Sequence, residues 1–452
     1  MSENSALNFK DYDKLERKCF CEKLENFLLI EHDFVEGSLV VSLNAPFGSG
    51  KTTFLSMWKD DFEGRKKMDE KLPTAIILNA WESDYCGDPL LSIVASLIHV
   101  AETDEPKEAA SRLKLLRDAA EDIAWFSIGS TNSTFSKWAG IDPLAGVKLA
   151  KEKKESKKPK VLDFVTLYEK RTQSLQKLKA ALRENFGGEH PKVFIFVDEL
   201  DRCRPDYAIS YLETIKHVFD IHGLVFVLAV DYGQLESSAK ALFGEGLVFS
   251  EYFRKFVQRS FNLPMPSEAG LESLARHYAQ NYIEKQNKRM SMIKMPDAVD
   301  RITELSLALK MTPRQIQEVF RIVGHTSIGN VDTRGGLYWC IGSALILMAS
   351  LKVSSQPYYV SLGDESETPE NFAAFLLSLF KPKEARWWFS VYATSSQRQI
   401  NDLPGVFQKT GLSGKDEPID LNPFTQGWGS YSYAGLPKIY QEIESASTFA
   451  QK

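Results

Sequence analysis

Lys51, Thr52, Asp198 and Glu199 are the residues whose types and spacing point most directly to chemistry. Lys51 and Thr52 close the run Leu43-Asn44-Ala45-Pro46-Phe47-Gly48-Ser49-Gly50-Lys51-Thr52-Thr53. An apolar stretch at 39–43 precedes it, and Phe54, Leu55 and Trp58 follow at helical spacing. The run reads as a phosphate-binding loop. Its small residues let successive backbone N–H groups turn inward into an anion-binding nest. The helix behind points its positive end at the same spot. Lys51 would reach the β- and γ-phosphates, and the Thr52 hydroxyl would ligate Mg²⁺. Ala45, Phe47, Gly48, Ser49, Gly50, Lys51, Thr52 and Thr53 are the expected nucleotide contacts. Ala45 stands where the common Gly-x-x-x-x-Gly-Lys-Ser/Thr pattern has its first glycine. Gly48 and Gly50 keep the positions where the tight turn and the close backbone approach need a bare Cα. The plain alternative is a glycine turn beside a chance lysine.

Asp198 and Glu199 end the unbroken apolar run Val193-Phe194-Ile195-Phe196-Val197, as expected of a central parallel strand buried on both faces. Open α/β sheets place ligand chemistry at strand ends. Asp198 would hold Mg²⁺, directly or through water. Glu199 would polarise the attacking water. Acids after a strand are commonly just solvated turn formers, but their pairing with an upstream phosphate loop is far more specific than either piece.

Four apolar runs must position these residues: 39–43, 75–78, 193–197 and 224–230, the last ending at Asp231. Helical stretches between them predict an α/β fold with a mainly parallel central sheet flanked by helices. Residues 1–36 read as an opening helical segment, 37–265 as the nucleotide core, 266–356 as a helical lid domain and 357–452 as a C-terminal appendage. Residues 101–160 form a polar insertion in the core. There, 128–134 reads as loop, and 148–160 holds seven lysines and two glutamates. A solvated linker is the favoured reading of that run over a nucleic-acid patch, because it lacks interleaved aromatics that stack bases. In the lid, Thr312-Pro313-Arg314-Gln315 reads as a helix start with a capping box. Thr368-Pro369 starts another helix. Trp387, Trp388, Phe389, Tyr392, Phe407, Phe424, Trp428, Tyr431 and Tyr433 make the appendage aromatic-rich. They are expected to pack internally or, as the sharper reading, to form a partner surface.

A chain of 452 residues is too long for one compact domain. The net charge of −5 gives no overall drive toward nucleic acid or anionic membrane. The apolar stretch 337–351 would span about 22 Å as a helix, short of the ~30 Å hydrocarbon core. It reads as a buried helix, and no membrane span is expected. The five cysteines are scattered without CxxC spacing, and no secretory signal is read at the start. Reduced thiols in a cytoplasmic protein are expected.

Four blocks resemble the KAP P-loop NTPases, a branch of the ASCE division near the AAA+ and STAND proteins. They are residues 11–17, the loop from Ala45 to Thr52, Asn79-Ala80-Trp81, and Val197-Asp198-Glu199-Leu200-Asp201-Arg202-Cys203-Arg204-Pro205. The strand ending at Asp231 and the helix start at Arg314 also sit where the family has them. Asp231 is placed with the nucleotide-binding residues. The likeness covers about residues 10–350 and is poor over the insertion and the appendage. Many relatives carry transmembrane helices between loop and acidic motif; here that position is too polar to span a membrane. The resemblance implies a soluble regulatory or assembly ATPase, in bacteria often linked to defence against phage and mobile elements. Related ATPases place a sensor arginine where Arg314 stands. Arg254 and Arg259 are further candidates to complete the charge at the γ-phosphate, within the subunit or on a neighbour's nucleotide.

The expected function is therefore Mg²⁺-dependent binding and hydrolysis of ATP or GTP. It would drive a conformational switch or the assembly of a homo-oligomer or protein complex, with the appendage as the candidate contact. A nucleic-acid motor or loader and a non-hydrolysing nucleotide-binding scaffold are the alternatives. A small-molecule kinase fits less well, because Glu199 beside Asp198 suits water activation.

Overall fold

The computed structural model describes residues 7–69, 72–104, 110–128, 161–285, 295–328, 339–395, 403–412, 420–428 and 435–449. Of the predicted loop at 128–134, Ile128 is helical and the rest, like the lysine run at 148–160, Tyr431 and Tyr433, lies outside the described residues. The chain divides into two compact units. The first comprises Met1–Asp13, Arg17–Phe47 and Lys51–Pro264; the second comprises Lys14–Glu16, Gly48–Gly50 and Met265–Lys452.

In the first unit, five parallel strands run in the order β2-β3-β4-β1-β5. They are β1 (Leu39–Asn44), β2 (Thr74–Asn79), β3 (Val193–Asp198), β4 (Leu224–Val230) and β5 (Arg259–Asn262). The first four are the predicted runs. Val193, Ile195 and Val197 of β3 enter one core cluster, while Phe194 and Phe196 enter the other. The same alternation holds along β4. Strands apolar on both faces are the mark of a sheet covered on both sides. The fifth strand was not predicted. Among the described residues it pairs only with β1, and three of its four residues are exposed, so it carries no apolar run.

Two layers of helix cover the sheet. On one side lie α1 (Phe9–Tyr12), α2 (Lys18–His32) and α3 (Lys51–Lys66). Trp58 of α3 is fully buried against Phe196, with ring centroids 4.7 Å apart. The other side carries α4 (Ala80–Asp84), α5 (Pro89–Asp104), α6 (Ala110–Ile128), α7 (Val161–Phe186), α8 (Pro205–Val218), α9 (Tyr232–Phe243) and α10 (Phe249–Phe253). Helices α6 and α7 pack along one another, and Leu116, Ala120 and Ile123 of α6 are buried in the core.

The second unit is helical. Its elements are α11 (Glu268–Ala279), running on into a π-helical turn at Gln280–Lys285, then α12 (Met295–Ala308), α13 (Pro313–Ile328) and α14 (Trp339–Val353). The remainder are α15 (Tyr358–Gly363), α16 (Pro369–Leu379), α17 (Pro382–Ala393), α18 (Leu403–Lys409), α19 (Asn422–Trp428) and α20 (Gly435–Phe449). The capping box at α13 is present: the Thr312 amide donates to Gln315 Oε1 at 2.8 Å, and the Gln315 amide donates to Thr312 Oγ1 at 3.4 Å. Thr368 caps α16 by accepting from the Asn371 amide. Every residue of α14 from Cys340 to Leu351 is buried, as expected of a helix apolar all round. Among the described residues, no helix is long and apolar enough to cross a membrane. Trp388, Phe389, Phe407 and Trp428 have no exposed surface, and Trp387 and Phe424 pack partly buried on the same core. The described appendage aromatics are thus core residues. The indole N–H of Trp428 donates to Thr394 Oγ1 at 3.1 Å, and that of Trp388 donates to Glu304 Oε1 at 3.2 Å, so both polar handles are met.

Candidate functional site

The C-terminal ends of β1, β2, β3 and β4 bring the first unit's candidate residues together. The loop after β1 turns on Gly48 (φ 79°) and Gly50 (φ 88°), both in the left-handed region that favours glycine. Helix α3 starts at Lys51, so the loop's amides and the helix N-terminus share one spot. Lys51 is nearly buried, and its Nζ donates to the Ala45 carbonyl at 2.7 Å. The Ala45 amide donates to the Val230 carbonyl at 3.0 Å, anchoring the loop to the end of β4. Ser49 is buried, whereas Thr52 and Thr53 are exposed.

Asp198 is 3% exposed and within hydrogen-bonding reach of the Thr52 hydroxyl. Burial raises its carboxyl above the usual range and the neighbouring Glu199 adds to the rise; Thr52, the Glu199 amide and Lys51 oppose it. A carboxylate and a hydroxyl so placed are two hard oxygen donors of the kind a divalent cation takes. Asp201 is also raised by burial, with Lys51 opposing. The ammonium of Lys51 thus sits among anions.

Glu199 has a left-handed backbone (φ 61°, ψ 22°), a conformation that costs a non-glycine residue about 1–3 kcal/mol. Its side chain is held on both oxygens. Arg202 Nη1 lies 2.8 Å from Oε1, and Asn79 Nδ2 donates to Oε2 at 3.3 Å. Asn79 also caps α4, accepting from the amides of Trp81 and Glu82. The Arg202 guanidinium stands 4.8 Å from the Phe47 ring centroid and 5.7 Å from that of Trp81. One step further, Arg204 donates from its amide and Nε to the two carboxylate oxygens of Asp84, at 3.0 and 2.9 Å. The segments after β2 and β3 are therefore laced together by Asn79–Glu199, Trp81–Arg202 and Asp84–Arg204. Asn79 and Asp198 are partners in the β2–β3 register, which is why these contacts form.

The remaining candidates lie as follows. Asp231 Oδ2 accepts from the Phe47 amide at 3.2 Å, while Oδ1 caps α9 by accepting from Gly233 and Gln234. It positions the loop through its backbone. Arg259 opens β5 and pairs with Glu31 at 2.9 Å. Arg254 is exposed at the end of α10. Arg314 is an exposed residue in the first turn of α13. Within the second unit its amide donates to the Gly48 carbonyl at 3.2 Å, and a Cβ on Gly48 would lie 2.8 Å from that of Arg314. Arg202 and Asp201 escaped the sequence reading of the site, although both lie in the acidic motif itself. A charged residue three positions after Glu199, on the next turn, was the available signal.

The KAP family P-loop domain matches residues 20–329. No curated protein matches the chain significantly. Among solved structures, the ORC1 protein of Aeropyrum pernix in complex with DNA is 12% identical with a TM-score of 0.35, over 98% of this chain and 87% of that one. The ORC2 protein of Aeropyrum pernix in ADPNP–ADP complexes is 10% identical with a TM-score of 0.33, over 96% of this chain and 95% of that one. Likeness this faint brings neither the DNA nor those nucleotides to this chain. The family match is of another order: it spans more than half the chain and takes in the loop at Lys51, Asn79-Ala80-Trp81 and the acidic end of β3. With those three blocks also meeting in space, the chain belongs to the KAP family of P-loop NTPases.

Proposed function

We propose that this chain binds ATP or GTP with Mg²⁺ at the loop between β1 and α3 and hydrolyses it, so that the cycle switches its conformation or its assembly with protein partners. The observation that carries this reading is the meeting of Thr52, Asp198 and Lys51 beside a conformationally held Glu199. Amides of the Gly48–Gly50 turn would cradle the phosphates, and Lys51 would lie against the β- and γ-oxygens. Thr52 and Asp198 would hold Mg²⁺, which when bound neutralises charge on the phosphate oxygens. Glu199 would orient and polarise the attacking water. Arg314, Arg254 and Arg259 remain proposed sources of further positive charge, in cis or in trans. The cellular setting suggested by the family resemblance is cytoplasmic defence against phage or mobile elements.

Phosphate release from Mg-ATP and Mg-GTP tests the reading. Wild type is expected to turn over, Lys51→Ala to lose nucleotide binding, and Glu199→Gln to bind normally while turning over roughly 10²-fold more slowly. Wild-type affinity in Lys51→Ala would sink the loop assignment. Equal turnover in wild type and Glu199→Gln would remove the base from Glu199.

A further inference from the structure

Arg202 pairs with Glu199 but has no role in the nucleotide chemistry described above. An ion pair between residues three apart on a surface ordinarily does little, because two long side chains must be held in one geometry. Here the arginine side chain is 35% exposed and the Glu199 side chain 16%. What differs from an ordinary pair is the guanidinium's setting. It is flanked by two aromatic rings, Phe47 and Trp81, each itself about half exposed. A planar guanidinium can lie against ring faces while its edge still presents N–H donors. Phe47 belongs to the phosphate loop, Trp81 to the segment after β2, and Arg202 to the segment after β3. One side chain thus links its own segment to two others whose ends form the site.

Glu199 needs such support. Its left-handed backbone persists only where the surroundings fix it. A carboxylate has about four lone-pair sites, so the bonds from Arg202 and Asn79 leave room for a water.

We propose that Arg202, held against Phe47 and Trp81, is a positioning residue that fixes the Glu199 carboxylate to orient the water that attacks the nucleotide, and ties that carboxylate to the phosphate loop. The inference rests on the hydrolytic reading above. Arg202 acts through Glu199 and makes no bond to the phosphates.

The test is single-turnover hydrolysis of Mg-ATP by the full chain, with affinity for a fluorescent ATP analogue measured in parallel. Arg202→Ala is expected to lower the hydrolysis rate roughly tenfold, the lower end for losing a supporting shell. Nucleotide affinity should stay within about twofold of wild type, since no uniform binding contact is lost. In a Glu199→Gln background the same substitution should have no further effect, because residues acting as one unit are not additive. Trp81→Ala should give a smaller loss of the same kind. Arg202→Lys keeps the charge without the flat stacking surface, so it should fall between wild type and Arg202→Ala; it also serves if the alanine variant fails to fold. An equal loss in the Glu199→Gln background would overturn the proposal by placing Arg202 on the phosphates. So would an unchanged or faster rate, or weaker binding at an unchanged rate. A wild-type chain without turnover would overturn the hydrolytic reading and this inference with it, whereas turnover sensitive to Glu199 but not to Arg202 would overturn this inference alone.

Discussion

Lys51 Nζ lies 2.7 Å from the carbonyl oxygen of Ala45, the residue that replaces the first glycine of the common loop pattern. The contact closes the loop on itself across its own mouth. Ala45 is buried, and its backbone is not in the left-handed region. Its amide and carbonyl are both engaged, by the Val230 carbonyl and by Lys51. A methyl group there is simply one more core atom. The departure from the pattern therefore leaves the geometry that matters at Gly48 and Gly50.

Ala45→Gly is accordingly expected to leave nucleotide affinity within about twofold and to cost at most about 1 kcal/mol of stability through added backbone freedom. Gly50→Ala should instead weaken binding at least tenfold, because φ of 88° is strained for any side chain. Titration with a fluorescent nucleotide, alongside thermal melts, checks both. A tenfold gain in affinity for Ala45→Gly would show that the methyl group does perturb the loop.

Glu25 ties α2 to the helix that follows the loop. Its carboxylate takes Arg65 Nη1 and Nη2, each at 2.7 Å, and the Trp58 indole N–H at 3.0 Å. Glu25→Ala would leave that indole N–H buried without its acceptor, which costs about 1–3 kcal/mol. The arginine side chain is 39% exposed and can be rehydrated, so its part of the loss should be small. A total near 2 kcal/mol is expected in urea unfolding at unchanged m-value, with Glu25→Gln losing less. A loss below about 0.5 kcal/mol for Glu25→Ala would mean the tie is not stabilising.

His32 gives a pH dependence. Its side chain has no exposed surface and stacks on His222 at 4.1 Å. Burial, then the charge of His222, lower its pKa; Asp33 and a backbone contact with His222 oppose this. Above the ordinary imidazole value of about 6.5, both folded and unfolded chains hold it neutral. As pH falls below that value the unfolded chain takes up a proton that the folded chain refuses, so stability declines until the lowered value is reached. Melting temperatures followed from about pH 7.5 down to about pH 5.5 should fall more steeply for wild type than for His32→Leu. Parallel slopes would remove His32 from the acid response.

Legibility from sequence followed solvent exposure. Strands β1, β3 and β4 announced themselves because burial on both faces leaves little choice but continuous apolar residues, as in Val193–Asp198 before its acid, while β2, at one edge and only partly buried, still carries the apolar run Ala75–Leu78. The edge strand β5 reads Arg-Ser-Phe-Asn, and water on one side lets almost any residue stand there. Lys51, Thr52, Asp198 and Glu199 carried local signatures, and the fold brought them to one end of the sheet. The link from Arg202 to Phe47 and Trp81 joins three segments distant in sequence, so no local pattern encodes it. The appendage aromatics were ambiguous for a related reason: composition alone does not say whether a tryptophan faces its own core or a partner. Burial of Trp388 and Trp428 answers that for the described residues.

That answer sets what truncation should do. Helix α14 is apolar all round, and in the second unit it packs against α13 as well as α17, α19 and α20. Trp339 meets Phe424 and Trp387 at centroid distances of 5.2 and 5.8 Å, and Cys340 Sγ donates to the Phe424 carbonyl at 3.3 Å. A chain ending at residue 356 would strip α15 to α20 from this helix and expose a contiguous apolar face, larger than monomeric proteins tolerate. It is expected to aggregate or bind a hydrophobic dye strongly, rather than to remain well folded with one interaction lost. Trp428→Ala is the milder form of the same injury. A fully buried indole with its N–H satisfied should cost about 3–5 kcal/mol when removed. If the truncated chain is monodisperse by light scattering, binds no dye and melts as sharply as the full chain, then the appendage is a separable module, and its aromatics do not hold the second unit together.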